Sequence, residues 1–477
     1  MEEVEFVQYL EQLTGEFVGT VWGLPLVVTL VGAGLIFTIY FGFPQLSMFK
    51  HAIDIVRGKY DNPDDEGEIS HFQALTTALS ATVGLGNIAG VAVAVAVGGP
   101  GAVFWLWVAG FLGMTTKFTE VTLALKYRYK SAETGSVHGG PMFVLRNAFR
   151  EKLKNNGQDE SVGLAKLFGG LAWFYALFVI LSSFGAGNMF QSNQMASIIN
   201  TATGTPEWIS GIVFAGLAFI VLVGGIKRIA QVTEKLVPAM VVLYVGGALV
   251  VVFANFAEIP NMFGLIFSSA FAGTAATGGF AGVVVKEVIV QGIRRASFSS
   301  EAGMGSAAMA HSAAKSDPIQ EGIVALLEPF VDTICVCTIT ALALLSSGVW
   351  SDGDVQGVDL TARAFASVMG PAGEWIVTIT VTMFAFSTLI SWSYYGEQGV
   401  TYVFGEKGIP AYRYIFVGFV FLGAIAKLSV VLNISDGVYG LLAIPNMIAC
   451  FLLMPVVKKT LVEYKRKLGS GEIKRID

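Results

Sequence analysis

Long apolar stretches separated by short polar ones cover almost the whole chain. Because the hydrocarbon core of a bilayer is about 30 Å thick, a helix that crosses it needs roughly 20 mostly apolar residues. Eleven stretches of this kind predict eleven transmembrane helices, at about 22–44, 72–98, 101–125, 166–199, 208–226, 236–256, 264–285, 318–347, 371–396, 414–432 and 436–457. The pattern therefore predicts an all-α membrane protein.

The composition agrees with a lipid environment. Of 477 residues, 54% are hydrophobic and 14% are charged, whereas a soluble domain carries about 25% charged residues. The acidic segment 1–16 lacks the basic region of a cleavable signal, so the first span is expected to stay in the mature protein. Cys335, Cys337 and Cys450 lie in apolar stretches, which argues against a disulfide framework or a metal centre. We expect the bilayer as a partner and no nucleic acid.

Lysine and arginine are concentrated in alternate loops. Cytoplasmic loops of membrane proteins retain these residues, so their placement predicts the orientation. One set of loops, together with the C-terminal tail, holds 26 of the 30 lysine and arginine residues. These segments are at about 45–71, 126–165, 227–235, 286–317, 397–413 and from Lys458. This predicts a cell-membrane protein with its N-terminus outside and its C-terminus in the cytoplasm. His51, His71, His138 and His311 fall in these loops or at helix ends, so no histidine relay is expected within the membrane.

The spans divide into two equal groups once the first is set aside. Residues 1–71 form an N-terminal unit, 72–256 and 257–457 hold five spans each, and 458–477 form a tail. An odd number of spans in each half makes the second half inverted relative to the first. Transporters with such inverted repeats bind their substrates near the membrane midplane, where the first helix of each half is broken.

Glycine clusters occur where these breaks are expected, at 80–90 and at 273–282. Unwound backbone inside a bilayer persists only where it lines a cavity or meets a ligand. The amides of a half-helix N-terminus suit a carboxylate, and freed carbonyls suit a sodium ion. An amino acid offers the carboxylate. The alternative is that these glycines only allow close helix packing.

Several polar and aromatic residues are further candidates. Gln191 lies within a span, where an amide must be paired or face water, so it is a substrate-contact candidate. Phe280 and Trp392 can wall a small pocket, or can serve ordinary packing or an interfacial belt. Ser387 and Thr388 can bind an ion, or can bond back to carbonyls one turn earlier.

Acidic residues in the spans leave two interpretations open. A proton-coupled mechanism needs one of them, while a structural hydrogen bond is the other role; the candidates are Glu120, Glu328, Asp332 and Glu374. The polar segment 294–317 is interpreted as a gate region or, equally, as a solvated cytoplasmic loop.

Six sequence blocks together resemble one family, the alanine or glycine:cation symporters of the amino acid-polyamine-organocation superfamily. The blocks are Thr82–Gly90, Gly98–Trp105, Gly113–Glu120, Gly187–Gln191, Phe298–Ser306 and Glu328–Thr333. The resemblance implies a five-plus-five inverted repeat like that of the bacterial leucine transporter. It also implies sodium as the coupling ion and alanine or glycine as the substrate.

The wider fold breaks its first core helix at Gly-Leu-Gly-Asn, which this chain matches at 84–87. By resemblance, one sodium ion is held by the carbonyls of Ser80 and Val83 and the hydroxyls of Ser387 and Thr388. The substrate carboxylate would meet the amides of Leu85 and Gly86. The predicted substrate contacts are Thr82, Gly84, Leu85, Gly86, Asn87, Gln191, Thr277, Gly278, Gly279, Phe280 and Trp392. A second sodium site would use Thr82, Asn87 and Thr277.

The predicted function is sodium-coupled symport of alanine or glycine by alternating access. A proton-coupled amino-acid carrier is the alternative within transport. A membrane-embedded enzyme is the alternative from another class, but the chain has no HExxH helix and no P-loop. The sequence leaves the preference between alanine and glycine, the sodium stoichiometry and the oligomeric state open.

Overall fold

Helices account for most of the residues that the structure describes. The computed structural model describes residues 2–62, 64–155, 163–272, 285–351, 357–426 and 429–476. In chain order the helices are α1 (Glu2–Val21), α2 (Leu24–Phe41), α3 (Pro44–Ser47), α4 (Phe49–Val56), α5 (His71–Thr82), α6 (Val91–Gly98), α7 (Ala102–Lys126), α8 (Pro141–Asn155), α9 (Gly163–Phe184), α10 (Phe190–Thr203), α11 (Glu207–Leu222), α12 (Gly225–Ala254), α13 (Ile259–Ala272), α14 (Val285–Ser300), α15 (Ala308–His311), α16 (Pro318–Ala325), α17 (Leu327–Pro329), α18 (Thr338–Ser347), α19 (Val358–Met369), α20 (Pro371–Phe404), α21 (Ile409–Ile425), α22 (Ser429–Leu441) and α23 (Ala443–Ser470).

Irregular helical turns and one small hairpin complete the described elements. Turns of π-helix cover Gly86–Gly90, Gly185–Met189 and Phe330–Cys337, and 3₁₀ turns cover Phe256–Glu258, Val349–Ser351 and Glu406–Gly408. The antiparallel strands β1 (Tyr129–Lys130) and β2 (Val137–His138) pair Tyr129 with His138 and Lys130 with Val137. With α8, this hairpin occupies the polar loop predicted at 126–165.

The protein crosses the membrane several times, as predicted. Among the described residues, seven helical segments are long and apolar enough to cross a bilayer, namely Tyr9–Phe41, Gly163–Thr203, Gly225–Ala254, Pro318–Ser347, Pro371–Phe404, Glu406–Ile425 and Asn433–Ser470. The helices His71–Thr82 and Gly86–Gly98 make an eighth if this bent pair is taken as one span. Helices α7, α11 and α13 lie in the other three predicted spans without meeting this criterion, and residues 273–284 of the span predicted at 264–285 lie outside the described residues. The count of eleven and the inverted repeat therefore stay predictions.

Two predicted boundaries are wrong. The first apolar helical segment runs from Tyr9 to Phe41, so it begins well before the span predicted at 22–44. The loop predicted at 286–317 is helical up to Ser300, because it belongs to α14. Its charged residues suggested a solvated loop, yet α14 packs closely on α7. A Cβ at Gly292 would lie 2.3 Å from the carbonyl oxygen of Ala102.

His71 and His311 lie at helix ends, as expected, but both are buried. His71 is 3% exposed and His311 is 0% exposed. Both contact the carboxylate of Glu321, at 2.5 and 2.6 Å. Hydropathy placed these histidines at helix ends, but the surrounding helices enclose those ends and remove them from water.

Helix α20 is the central element against which the site is built. It is buried on most sides from Ser387 to Thr401 and contacts α5, α9, α10 and α12. Glycines allow this approach: a Cβ at Gly399 would lie 2.7 Å from the carbonyl oxygen of Ala176 in α9. Small residues are the usual means of close helix contact in a membrane, where lipid provides no hydrophobic drive between helices.

Candidate functional site

The predicted break in the first helix of the first half is confirmed. Helix α5 ends at Thr82, Val83 adopts extended backbone angles, and a π turn leads into α6. The two parts are bent by 51°. The second predicted break, with Thr277, Gly278, Gly279 and Phe280, lies outside the described residues.

A buried amide and a buried carboxylate hold the first break. Asn87 accepts a hydrogen bond from the Gly84 N–H at 2.7 Å. Its Nδ2 donates to the carboxylate of Asp332 at 2.6 Å. The hydroxyls of Ser299 and Thr333 donate to the same carboxylate at 2.9 and 2.7 Å. The break is thus fixed by hydrogen bonds, which a buried unwound segment requires.

A buried cavity lies directly against this break. Its lining consists of Ala81, Thr82, Gly84, Leu85, Gly86, Ala186, Phe190, Gln191, Phe298, Ser299, Glu301, Thr388, Trp392 and Tyr439. The structure therefore brings most of the described predicted contacts together. Asn87 lies behind the break and is not part of the lining. Phe298, Ser299 and Glu301 were assigned only to a gate region, and Tyr439 was missed.

Gln191 presents an unpaired acceptor at the cavity. Its Nε2 donates to the carbonyl of Ala186 at 3.0 Å. Its Oε1 is buried and has no hydrogen-bond partner among the described residues. Because an unpaired buried acceptor is costly, this oxygen is suited to a ligand that donates a hydrogen bond.

Trp392 serves packing and cavity lining together. It is 4% exposed, which excludes an interfacial-belt role. Its ring contacts those of Tyr395 and Tyr439, with centroids 5.2 and 5.6 Å away. The chain makes room for it at Gly187, where a Cβ would lie 2.4 Å from the Cβ of Trp392.

The predicted sodium ligands of α5 and α20 meet around Ser80. Its carbonyl accepts hydrogen bonds from the hydroxyls of Thr388 at 3.1 Å and Ser387 at 3.3 Å. Its own hydroxyl accepts from Ser391 at 2.9 Å. Carbonyl and hydroxyl oxygens around an unwound segment are the ligands that transporters use for sodium. Ser391 was missed, although it lies one helical turn from Ser387 and so shares its face.

The two hydroxyls of α20 differ in their bonding. Ser387 also donates to the Phe384 carbonyl at 2.9 Å, which is the bonding expected for a purely structural serine. Thr388 instead donates across to α5. Gly84 permits this approach, because a Cβ there would lie 2.8 Å from the Thr388 hydroxyl oxygen. Val83, the remaining predicted ligand, follows directly at the C-terminal end of α5.

The oxygens proposed for a second sodium site are engaged elsewhere. The Thr82 hydroxyl donates to the carbonyls of Ala78 and Leu79 within α5. The Asn87 side-chain oxygen caps the Gly84 N–H. Thr277 lies outside the described residues, so the second site stays a prediction.

The predicted acidic candidates have different surroundings. Glu120 accepts hydrogen bonds from the Gly303 N–H and from Asn446, which is a structural arrangement. Glu328 forms ion pairs within the protein, and Glu374 is exposed at the start of α20. Glu301 lines the cavity and has a positive φ of 56°, which is a strained conformation for a residue other than glycine.

A multi-pass helical protein with a broken helix around a buried cavity belongs to the class of membrane transporters. The fold agrees, since the chain aligns with the crystal structure of MhsT in complex with L-phenylalanine at a TM-score of 0.54. The alignment covers 83% of this chain and 99% of that one, at 13% sequence identity. The chain belongs to the sodium:alanine symporter family, whose family model matches residues 7–477.

Curated relatives support the same assignment along nearly the whole chain. The sodium/alanine symporter AgcS of Methanococcus maripaludis is 43% identical, over 92% of this chain and 93% of its own length. The probable sodium/glutamine symporter GlnT of Bacillus subtilis is 33% identical, over 98% of this chain and 93% of its own length. The protein is thus an amino-acid transporter of the symporter type and not an enzyme.

Proposed function

We propose that the protein is a sodium-coupled symporter of a small neutral amino acid, alanine or glycine or both, that works by alternating access. One observation carries the proposal. Thr388 lines the cavity, and its hydroxyl contacts the Ser80 carbonyl. The oxygens of Ser80, Ser387, Thr388 and Ser391 meet here and are called the oxygen cluster. An ion in the cluster and a substrate in the cavity would therefore share one helix break.

The lining of the cavity supports a small zwitterion as substrate. The amides of Leu85 and Gly86, at the start of the second half-helix, suit the carboxylate. The unpaired Oε1 of Gln191 suits the ammonium group. The rings of Trp392 and Tyr439 occupy the space that a longer side chain would need. In this proposal the second break, with Thr277, Gly278, Gly279 and Phe280, completes the pocket.

Sodium coupling follows from differential binding to two states. A sodium ion between Ser80 and Thr388 ties the end of α5 to α20 and fixes the break at Gly84. The ordered break then presents its amides to the substrate, so the ion raises substrate affinity and, reciprocally, the substrate raises ion affinity. The two repeats, 72–256 and 257–457, would reverse the opening around this site, as in other inverted-repeat transporters.

Uptake into proteoliposomes tests the proposal. We expect an inward sodium gradient to drive accumulation of labelled alanine, and equal uptake with choline in place of sodium would overturn sodium coupling. A pH gradient that drives uptake without sodium would instead support the proton-coupled alternative. Competition by unlabelled glycine, alanine, glutamine and phenylalanine then defines the substrate, and we expect only the first two to compete strongly.

A further inference from the structure

A second group of buried polar residues lies outside the cavity and the oxygen cluster. Six ionisable side chains form a chain of contacts, the buried relay, consisting of Asp61, His71, Glu321, His311, Glu328 and Lys117. Asp61 is 53% exposed at its side chain, while Glu321, His311, Glu328 and Lys117 are 0% exposed. The relay therefore leads from the protein surface into its core.

The histidines of the relay alternate with glutamates at short distances. His71 Nδ1 lies 2.5 Å from one oxygen of Glu321, and His311 Nδ1 lies 2.6 Å from the other. His311 Nε2 lies 2.5 Å from Glu328. Lys117 Nζ lies 3.2 Å from the second oxygen of Glu328.

This geometry requires an extra proton at His311. An ionised carboxylate only accepts hydrogen bonds, and a neutral imidazole donates from one nitrogen alone. Both nitrogens of His311 face carboxylates, so the unit Glu321–His311–Glu328 must hold one proton more than a neutral imidazole carries. Imidazole is more basic than a carboxylate, which places the proton on His311. Burial alone would lower the pKa of His311, but Glu328 and Glu321 together raise it to about 9.

The surroundings provide a route by which this proton can exchange with water. His71 Nε2 lies 3.7 Å from the exposed carboxylate of Asp61, a distance that one bridging water can span. The charged groups that face the relay from neighbouring elements are few. Asp65 faces His71, Arg128 faces Glu321, and Lys117 is faced on its other side by Glu301, Glu120 and Asp332.

We propose that Glu321–His311–Glu328 is a proton-binding site that exchanges with the cytoplasm through His71 and Asp61. The proton site goes beyond sodium symport and does not depend on it, whereas its effect on alanine exchange rests on the proposed function. The unit joins α15, α16 and α17, and loss of the proton would leave one ring nitrogen of His311 facing a carboxylate oxygen with no hydrogen between them, although Glu321 keeps His71 and Glu328 keeps Lys117. Two buried acceptors in contact are unfavourable in the interior and favour separation of these elements. Transport should therefore fail as the pH rises through the range in which His311 releases its proton.

Nitrogen NMR of the full-length protein, labelled only at histidine, tests the site directly. The chain has four histidines, and single His→Gln variants assign their signals. We expect both ring nitrogens of His311 to be protonated at neutral pH in the unmodified protein. A neutral His311 under these conditions would overturn the proposal, whatever any variant does.

A variant separates a proton site from a merely structural ion pair. In Glu328→Gln, loss of one facing carboxylate should lower the titration midpoint of His311 by about 1 to 3 pH units. The alkaline limit of alanine exchange in proteoliposomes should move down with it. His51→Gln is the matched control, because His51 bonds to Tyr464 outside the relay. If the pH profile of alanine exchange does not follow the titration of His311, the proposed role of this proton in transport is refuted. Sodium dependence is measured in separate vesicles.

Discussion

Replacement of Thr388 by valine tests the ion site most directly. The change keeps the shape of the side chain and removes the hydroxyl that lies 3.1 Å from the Ser80 carbonyl. Without sodium the cost is small, because Ser387 still donates to that carbonyl at 3.3 Å. With sodium the ion loses one of its oxygen ligands in a buried site, which costs about 1–3 kcal/mol. The sodium concentration for half-maximal alanine uptake should rise about 5- to 150-fold.

The assay is alanine uptake into proteoliposomes over a series of sodium concentrations, with two companion variants. Thr388→Ser keeps the hydroxyl and should stay close to the unmodified protein. Thr380→Val removes a buried hydroxyl of the same helix that donates only to carbonyls within that helix, those of Ile376 and Val377. This change should leave sodium dependence unchanged. If Thr388→Val behaves like Thr380→Val, the hydroxyl is not an ion ligand and the site assignment is wrong.

Three further predictions concern the cavity and the orientation. Gly84→Ala places a methyl group 2.8 Å from the Thr388 hydroxyl oxygen, so the half-maximal sodium concentration for uptake should rise about tenfold. Gln191→Leu removes the unpaired acceptor, and the KM for alanine should rise about 10- to 150-fold while sodium binding without substrate, followed by isotope binding, is unchanged. Ser470→Cys, in a Cys335→Ser background, should react with an impermeant maleimide only in inside-out vesicles; labelling from outside would reverse the proposed topology.

Helix positions were predictable where lipid and local capping decide them. The span predicted at 318–347 coincides with the observed Pro318–Ser347. Asp317 caps its start by accepting a hydrogen bond from the Ile319 N–H, and proline occupies the first turn, where its missing N–H is harmless. The break at Gly84 was equally predictable, because glycine in the middle of an apolar span is a local signal.

Contacts between distant parts of the chain were not predictable in the same way. Helix α14 faces protein instead of lipid, so its charged and small residues gave no apolar signal. His71 and Glu321 are 250 positions apart, and nothing local marks them as partners. Tyr439 resembles any other aromatic residue of a span, and its role emerges only when the cavity is assembled.

The surroundings of Gly84 would allow one residue to link the proposed ion site, the proposed substrate site and both halves of the chain. Its N–H is held by Asn87, which is itself held by Asp332 from the second half. The absence of its side chain admits Thr388 of α20 to the Ser80 carbonyl. Three hydroxyl or amide donors satisfy the Asp332 carboxylate, which favours its structural role over that of a proton carrier. A change in the distance between α5 and α20 must therefore shift the backbone at Gly84, which faces the cavity. Coupling of ion binding to substrate binding requires a physical link of this kind.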